Sequence, residues 1–119
     1  MIRIVIADDS CQVRQGLRMC LSLESDMQVV GEACNGAEAV EQVRKMHPDV
    51  VLMDLDMPVM SGLEATKAVA SECAVIILSM GDTCADIRQA LDAGARRFIC
   101  KKNPTALMST IRELAPRPA

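Results

Sequence analysis

The chain has 119 residues, of which 50% are hydrophobic and 24% charged, and its formal net charge is −3. This length suits one domain with a substantial hydrophobic core. The acidic balance argues against direct binding of nucleic acid or of an anionic membrane by this domain. No apolar run approaches the length of a membrane span, and the N-terminus shows no signal-peptide pattern. We therefore expect a cytoplasmic protein with no membrane partner.

The cysteine and aromatic content excludes several classes of site. None of the six cysteines forms a C-x-x-C pair, and the single histidine, His47, has no cysteine near it in the sequence, so a structural zinc site is not expected. A chain with periodic core segments does not need disulfides, and we expect most of the cysteines to be small buried hydrophobic residues. Phe98 is the only aromatic residue, which leaves little for base or flavin stacking.

Five short apolar runs alternate with five helical patterns along the chain. In chain order the runs are Ile2–Ala7, Gln28–Cys34, Asp49–Met53, Ala74–Leu78 and Arg97–Cys100. The helical patterns are Cys11–Leu23 with Ser10 as N-cap, a segment after Asn35-Gly36, Leu63–Ala70, Asp82–Ala93 ended by Gly94, and a segment starting near Pro104. In the first and fourth of these patterns, the helical spacing predicts that Cys20 and Leu91 face the core.

This alternation predicts an α/β fold. The runs are mostly continuous rather than alternating, as is typical of strands buried on both faces of a parallel sheet. Right-handed crossovers then place helices on both faces of one sheet. Two topologies fit this (βα)5 pattern: a doubly wound flavodoxin-like sheet with strand order 2-1-3-4-5, and a Rossmann-type half. In the flavodoxin-like order, ligands bind at the carboxyl ends of strands 1 and 3.

Three aspartates lie at those two strand ends. Asp8 and Asp9 follow the first run, and Asp54 follows the third, so the flavodoxin-like order brings three carboxylates into one pocket. Like charges so close together raise one another's pKa or hold a cation between them. Mg²⁺ suits such a set of oxygen ligands, and a carboxylate can also take up a phosphoryl group as an acyl phosphate.

Two further polar residues end the remaining runs. Ser79 follows the fourth run and Lys101 follows the fifth. Taken alone, the serine is typical of a helix cap and the lysine of a solvated strand end. Together with the aspartates they supply the hydroxyl and the ammonium that stabilise a transferring phosphoryl group.

These motifs resemble the receiver domain of bacterial response regulators, and the resemblance covers nearly the whole chain. It rests on Asp8-Asp9, on Asp54-Leu55-Asp56-Met57-Pro58 with Gly62, on Ser79, and on Gly94-Ala95 leading to Phe98 and Lys101. Val29-Val30-Gly31-Glu32-Ala33 and Gly94-Ala95 resemble the subgroup in which a helix-turn-helix DNA-binding domain follows the receiver.

The resemblance implies a flavodoxin-like switch that is not an enzyme in the usual sense. Asp54 then accepts a phosphoryl group from a sensor histidine kinase. Asp9, supported by Asp8, ligates Mg²⁺ together with Asp54 and the backbone carbonyl of Asp56. Ser79 and Lys101 are implied to bond the phosphoryl oxygens.

The resemblance also implies the output. Ser79 and Phe98 move inward together and reshape the surface of the fourth helix, fifth strand and fifth helix, which favours a homodimer. A C-terminal DNA-binding domain in a longer chain is then expected to control transcription. We expect residues 1–115 to form the receiver and 116–119 to begin a linker or tail, because Pro116 and Pro118 cannot continue a helix.

Some positions leave alternatives open. Asp56 and Gly81, two residues after Asp54 and Ser79, tune acyl-phosphate lifetime in the family, so that lifetime is open here. The three-residue spacing from Phe98 favours Lys101 over Lys102.

Three other functions fit parts of the same pattern. One is a haloacid-dehalogenase-type phosphatase with Asp54 as nucleophile and Asp56 as general acid. That family places its acidic pair after the lysine, whereas Asp8-Asp9 lead this chain. A flavodoxin-like cofactor binder and a phosphorylation-independent interaction module are the other two.

Overall fold

Residues 1–79, 84–101 and 106–115 are described by a computed structural model, and the predictions for Gly81, Asp82, Lys102, Pro104 and residues 116–119 lie outside them. Five parallel strands form one sheet, β1 (Ile2–Ala7), β2 (Met27–Ala33), β3 (Val50–Asp54), β4 (Ala74–Ser79) and β5 (Arg97–Cys100). The helices are α1 (Cys11–Ser22), α2 (Gly36–Met46), α3 (Gly62–Val69), α4 (Cys84–Asp92) and α5 (Leu107–Leu114).

The strand order is β2-β1-β3-β4-β5, which confirms the flavodoxin-like prediction over a Rossmann-type half. The chain winds outward from β1 to β2 and then returns across β1 to form β3, so the winding direction switches between β1 and β3. Ala7 at the end of β1 pairs with Met53 near the end of β3. The residues that follow these two therefore lie side by side at the switch point, where such sheets bind their ligands.

Helices cover both faces of the sheet. Val5 and Val51 contribute to the core on the face that α2, α3 and α4 cover, whereas Ile6, Leu52 and Ile76 belong to the core beneath α1 and α5. Every residue of β3 and of β4 is buried. The continuous apolar runs follow from this burial on two faces.

The predicted helix ends at Ser10 and Gly94 are confirmed. The Ser10 hydroxyl accepts a hydrogen bond from the backbone N–H of Val13 at 3.3 Å and caps α1. Gly94 has φ +112, a conformation that glycine adopts without a steric penalty. Two strands extend one residue further than predicted, so that Asp54 and Ser79 are the last residues of β3 and β4. The sheet itself therefore fixes the backbone of both.

The expectation that most cysteines are buried is wrong. Of the five whose side chains the structure describes, Cys11 and Cys20 are exposed and the other three, Cys34, Cys73 and Cys100, are partly exposed. Cys20 precedes Leu21, which is buried, and a helix turns about 100° per residue, so Cys20 faces outward. Leu91, predicted as core, is likewise 47% exposed because Ala90 takes the buried face of α4.

The helices of the described residues do not include one with the length and apolar character needed to cross a membrane.

Candidate functional site

Asp8, Asp9 and Asp54 meet at the carboxyl edge of the sheet, as the sequence predicts. Each offers a carboxylate oxygen, and these oxygens all lie within 4.8 Å of one another. Asp8 and Asp54 are buried, with 2% and 6% of their surface exposed, whereas Asp9 faces solvent. The cluster therefore consists of two desolvated carboxylates and one carboxylate exposed to solvent.

Lys101 lies over the two buried carboxylates. Its Nζ is 2.6 Å from Asp8 Oδ2 and 3.3 Å from Asp54 Oδ1. The backbone N–H of Lys101 donates to the carbonyl of Ser79 at 2.8 Å, which continues the pairing of β4 with β5 beyond the last strand residue. Side chains alternate along a strand, so Lys101 shares the face of Ile99. The same alternation places Asp54 on the face of Leu52.

Within the described part of the chain, four hydrogen bonds hold Asp8. Its N–H donates to the carbonyl of Ala33 at 3.0 Å, and its Oδ1 accepts the N–H of Ser10 at 2.9 Å. Its Oδ2 accepts from Lys101, and its carbonyl accepts from Nη1 of Arg14 at 2.7 Å. Backbone and side chain of Asp8 are thus fixed together.

Arg14 is the site residue that sequence reasoning missed. It lies in the first half of α1, where the helix dipole disfavours a positive charge. A cation near a helix N-terminus therefore needs a compensating partner. Arg14 lies one helical turn after the cap Ser10 and close in sequence to Asp8 and Asp9. Its unfavourable position near the helix N-terminus is therefore the sequence signal for a partner among these residues.

The charges of the site are not balanced. Burial and the neighbouring charge of Asp8 raise the pKa of Asp54, while Lys101 and the backbone N–H of Asp56 oppose the shift. Burial alone lowers the pKa of Lys101, but the hydrogen bond that the ammonium donates to Asp8 and the charge of Asp54 outweigh it, so the pKa is raised overall. Among the described residues, three carboxylates thus face the ammonium of Lys101. Their hard oxygen donors and excess negative charge fit a small divalent cation such as Mg²⁺.

Ser79 and Phe98 lie on adjacent strands and share one face of the sheet. Phe98 pairs with Ile77, and Ser79, two residues beyond Ile77, has the same orientation by strand alternation. Ser79 is buried, whereas Phe98 is half-buried and packs against the core beneath α2, α3 and α4. Asp56 is exposed in the turn after β3. The side chains of Ser79 and Phe98 therefore lie on the same face of two neighbouring strands, so that a movement of Ser79 changes the space available to Phe98.

Asp54→Asn is expected to remove part of the pH dependence of stability. The folded pKa of Asp54 lies above its unfolded value of about 4. The stability that its protonation provides is therefore fully present below that value and is lost as the pH rises through the folded pKa. The wild type loses stability across this window and Asp54→Asn does not, so the advantage of the variant grows with pH.

Urea unfolding in EDTA, from about pH 4 to about pH 8, measures this difference. Far-UV circular dichroism is the appropriate signal, since the chain has no Trp and no Tyr. Asp26→Asn is the control, because the hydrogen bond from Arg112 lowers the pKa of Asp26. Its contribution to stability changes only below about pH 4, so the difference between this variant and the wild type should stay nearly constant across the window. A wild type that gains stability relative to Asp54→Asn as the pH rises would contradict the prediction.

Comparisons with known proteins agree with this fold. The sequence profile described as "Response regulator receiver domain" matches residues 4–112. Protein-glutamate methylesterase/protein-glutamine glutaminase 1 of Methanosarcina acetivorans is 42% identical over 104 residues, which cover 84% of this chain and 30% of that protein. Transcriptional regulatory protein LnrK of Bacillus subtilis is 40% identical over 104 residues, covering 85% of this chain and 47% of that protein.

A solved structure gives the same result. The response regulator domain of CheB from Thermotoga maritima superposes with a TM-score of 0.90 and 34% identity, covering 96% of each chain. The chain spans 30% and 47% of the lengths of the two curated relatives described above. The profile covers most of the chain, and the strand order and acidic cluster agree with it. This chain therefore belongs to the response regulator receiver domain family, whose members are signalling domains of two-component systems.

Proposed function

We propose that this domain is a phosphorylation-dependent switch and that Asp54 accepts a phosphoryl group from a sensor histidine kinase. The arrangement of Asp54 carries the proposal. Its carboxylate is buried at the end of β3, within 4.8 Å of the oxygens of Asp8 and Asp9 and 3.3 Å from the ammonium of Lys101. A nucleophilic carboxylate beside a cation and a metal-ligand set is what acyl-phosphate formation requires.

The side chains of Asp8, Asp9 and Asp54, together with the backbone carbonyl of Asp56, are proposed to hold Mg²⁺. When bound, the ion neutralises charge on the phosphoryl oxygens. A magnesium site made of carboxylates, a carbonyl and water is common for phosphoryl transfer. The unbalanced negative charge of the cluster supports this assignment.

The chain's own groups account for the transfer. A carboxylate oxygen of Asp54 forms the new bond to phosphorus as the bond from phosphorus to the donor imidazole nitrogen breaks. The imidazole leaves as a neutral ring because the other ring nitrogen of the protonated phosphohistidine carries the proton. Lys101 opposes the rise in the pKa of Asp54 that burial causes, and its ammonium is placed to donate to a phosphoryl oxygen. Ser79 is proposed to donate its hydroxyl to another phosphoryl oxygen.

The switch is proposed to pass from Ser79 to Phe98. When Ser79 turns toward the phosphoryl group, Phe98 follows from its half-buried position on the neighbouring strand and reshapes the surface formed by α4, β5 and α5. This is a two-state element biased by a local charge. Nearly complete switching from a mostly inactive state needs about 5 kcal/mol of differential binding.

The output is proposed to be transcription, through a DNA-binding domain that follows the receiver. The likeness to LnrK supports this proposal, although the methylesterase relative matches equally well over the same region. We further propose that residues 1–115 form the receiver, that 116–119 begin the linker, and that phosphorylation favours a homodimer.

Intact-mass measurement after incubation with Mg²⁺ and acetyl phosphate tests the phosphoacceptor. The wild type is expected to gain the mass of one phosphoryl group and Asp54→Asn none. Asp56→Asn is the matched control, since Asp56 is exposed two residues away and is expected to leave uptake possible. Equal uptake by the wild type and Asp54→Asn, or uptake by neither, would refute the assignment.

A further inference from the structure

Arg14 joins three elements around the acidic cluster. Its Nη1 donates to the carbonyl of Asp8 at 2.7 Å, and its Nε donates to Oε1 of Glu32 on β2 at 3.2 Å. The arginine side chain is 18% exposed and the glutamate 29%. A guanidinium with two fixed acceptors and little exposure has a defined position. Arg14 therefore ties α1 and β2 to the end of β1.

The acceptor on Asp8 is the important one. Its carbonyl belongs to the peptide unit that links Asp8 to Asp9, and this unit is planar. A bond that fixes the carbonyl direction therefore also fixes the N–H of Asp9 and the position of its Cα. Asp8 is held independently through its N–H and its carboxylate, whereas Asp9 lies outside in solvent.

We propose that Arg14 is a positioning residue for the metal site: through the Asp8 carbonyl it sets the direction of the Asp8–Asp9 peptide and so presents the Asp9 carboxylate to Mg²⁺. The inference rests on the proposed function of this pocket. It adds a cationic residue that touches neither the metal nor the phosphoryl group. Glu32 has a supporting role, since it accepts from Nε of the guanidinium while the Asp8 carbonyl accepts from Nη1.

The direction in which Mg²⁺ affinity changes when Arg14 is replaced distinguishes a positioning role from a purely electrostatic one. Arg14 is a cation near a cation-binding site, so loss of its charge alone would strengthen Mg²⁺ binding through reduced repulsion. Loss of a positioning bond would weaken it, because residues that orient metal ligands typically contribute about tenfold to a hundredfold in affinity. The two roles thus predict opposite changes.

Isothermal titration of the metal-free protein with Mg²⁺ measures the change directly, without phosphorylation. Arg14→Gln is expected to bind Mg²⁺ about tenfold more weakly than the wild type. Arg18→Gln is the matched control, because Arg18 lies on the same helix and also pairs with Glu32, but is 52% exposed and has no bond to Asp8 among the described contacts. Arg18→Gln is expected to bind Mg²⁺ at least as tightly as the wild type.

Urea unfolding of both variants accompanies the titration, and Arg14→Lys replaces Arg14→Gln if the latter does not fold. The lysine variant keeps the charge and loses the fork of donors, so weaker binding than in the wild type is expected. Wild-type or tighter binding by the folded Arg14 variant overturns the inference, as does equal weakening in Arg18→Gln. If the wild type binds no Mg²⁺, the proposed function itself fails, which is a different result from a wild type and variant that bind alike.

Discussion

Replacing Lys101 with methionine is expected to lower the free energy of unfolding of the metal-free protein by about 3 kcal/mol. The ammonium contacts both buried carboxylates, at 2.6 Å from Asp8 and 3.3 Å from Asp54. Removing it leaves two like charges facing each other without a counter-ion in a desolvated pocket. Urea unfolding in EDTA measures the loss, and Lys67→Met, which changes an exposed lysine of α3, is the control.

The same variant is expected to respond more strongly to Mg²⁺ than the wild type does. Without Lys101, the pocket loses the ammonium that competes with Mg²⁺ for the Oδ2 of Asp8. The ion then binds the folded state more tightly, and a ligand that binds only the folded state stabilises it. Phosphoryl uptake from acetyl phosphate is nevertheless expected to fall about a hundredfold, since a charge-stabilising donor is lost. Unchanged stability in EDTA, with no additional response to Mg²⁺, would show that Lys101 does not hold the two carboxylates in solution.

Gly62→Ala is expected to destabilise the fold by about 3 kcal/mol or more. The added Cβ would clash with backbone atoms, and no flexible side chain can move aside to relieve the clash. A Cβ at Gly62 would overlap the carbonyl oxygen of Asp54 and lie 2.9 Å from Cα of Leu55. The N–H of Gly62 also donates to the carbonyl of Leu55 at 3.0 Å. Helix α3 thus starts directly against the backbone of Asp54, and the variant should lose phosphoryl uptake together with stability.

Gly16→Ala is the matched control and has the opposite sign. Gly16 lies inside α1, and a Cβ added there would meet open space, with no neighbouring atom within 4 Å outside its own helical turn. Alanine is favoured over glycine in a helix interior by about 1 kcal/mol. Urea midpoints of the two variants should therefore move in opposite directions from the wild type. If both moved together, the close approach of Gly62 to Asp54 would not be the cause.

The sequence predicted the part of the site that depends on strand order. Continuous apolar runs identified the parallel strands, and the residues after them, Asp8, Asp9, Asp54 and Lys101, fall at one edge of any flavodoxin-like sheet. Their convergence follows from the topology, because the carboxyl ends of parallel strands lie on the same side. The same topology brings Lys101 and Asp8, which are 93 residues apart in the chain, to this edge, where the structure shows an ion pair between them.

Features that depend on helix rotation and on side-chain reach could not be predicted in the same way. Cys20 and Leu91 are predicted to face the core, but their neighbours Leu21 and Ala90 take the buried face. Hydropathy spacing does not determine which of two adjacent apolar residues, about 100° apart on the helix, is turned inward. The contact of Arg14 with the Asp8 carbonyl requires the distance between α1, β1 and β2. A hydropathy pattern gives no information on the distances between these elements. The sequence does show that Arg14 lies unfavourably near a helix N-terminus.

The most direct test of the account is to locate the phosphoryl group. After incubation with Mg²⁺ and acetyl phosphate, peptide mass spectrometry of the digested wild type is expected to find one phosphoryl group, at Asp54, that hydroxylamine removes as it would any acyl phosphate. A hydroxylamine-stable modification, or one at Ser79, Asp56 or another residue in place of Asp54, would contradict it.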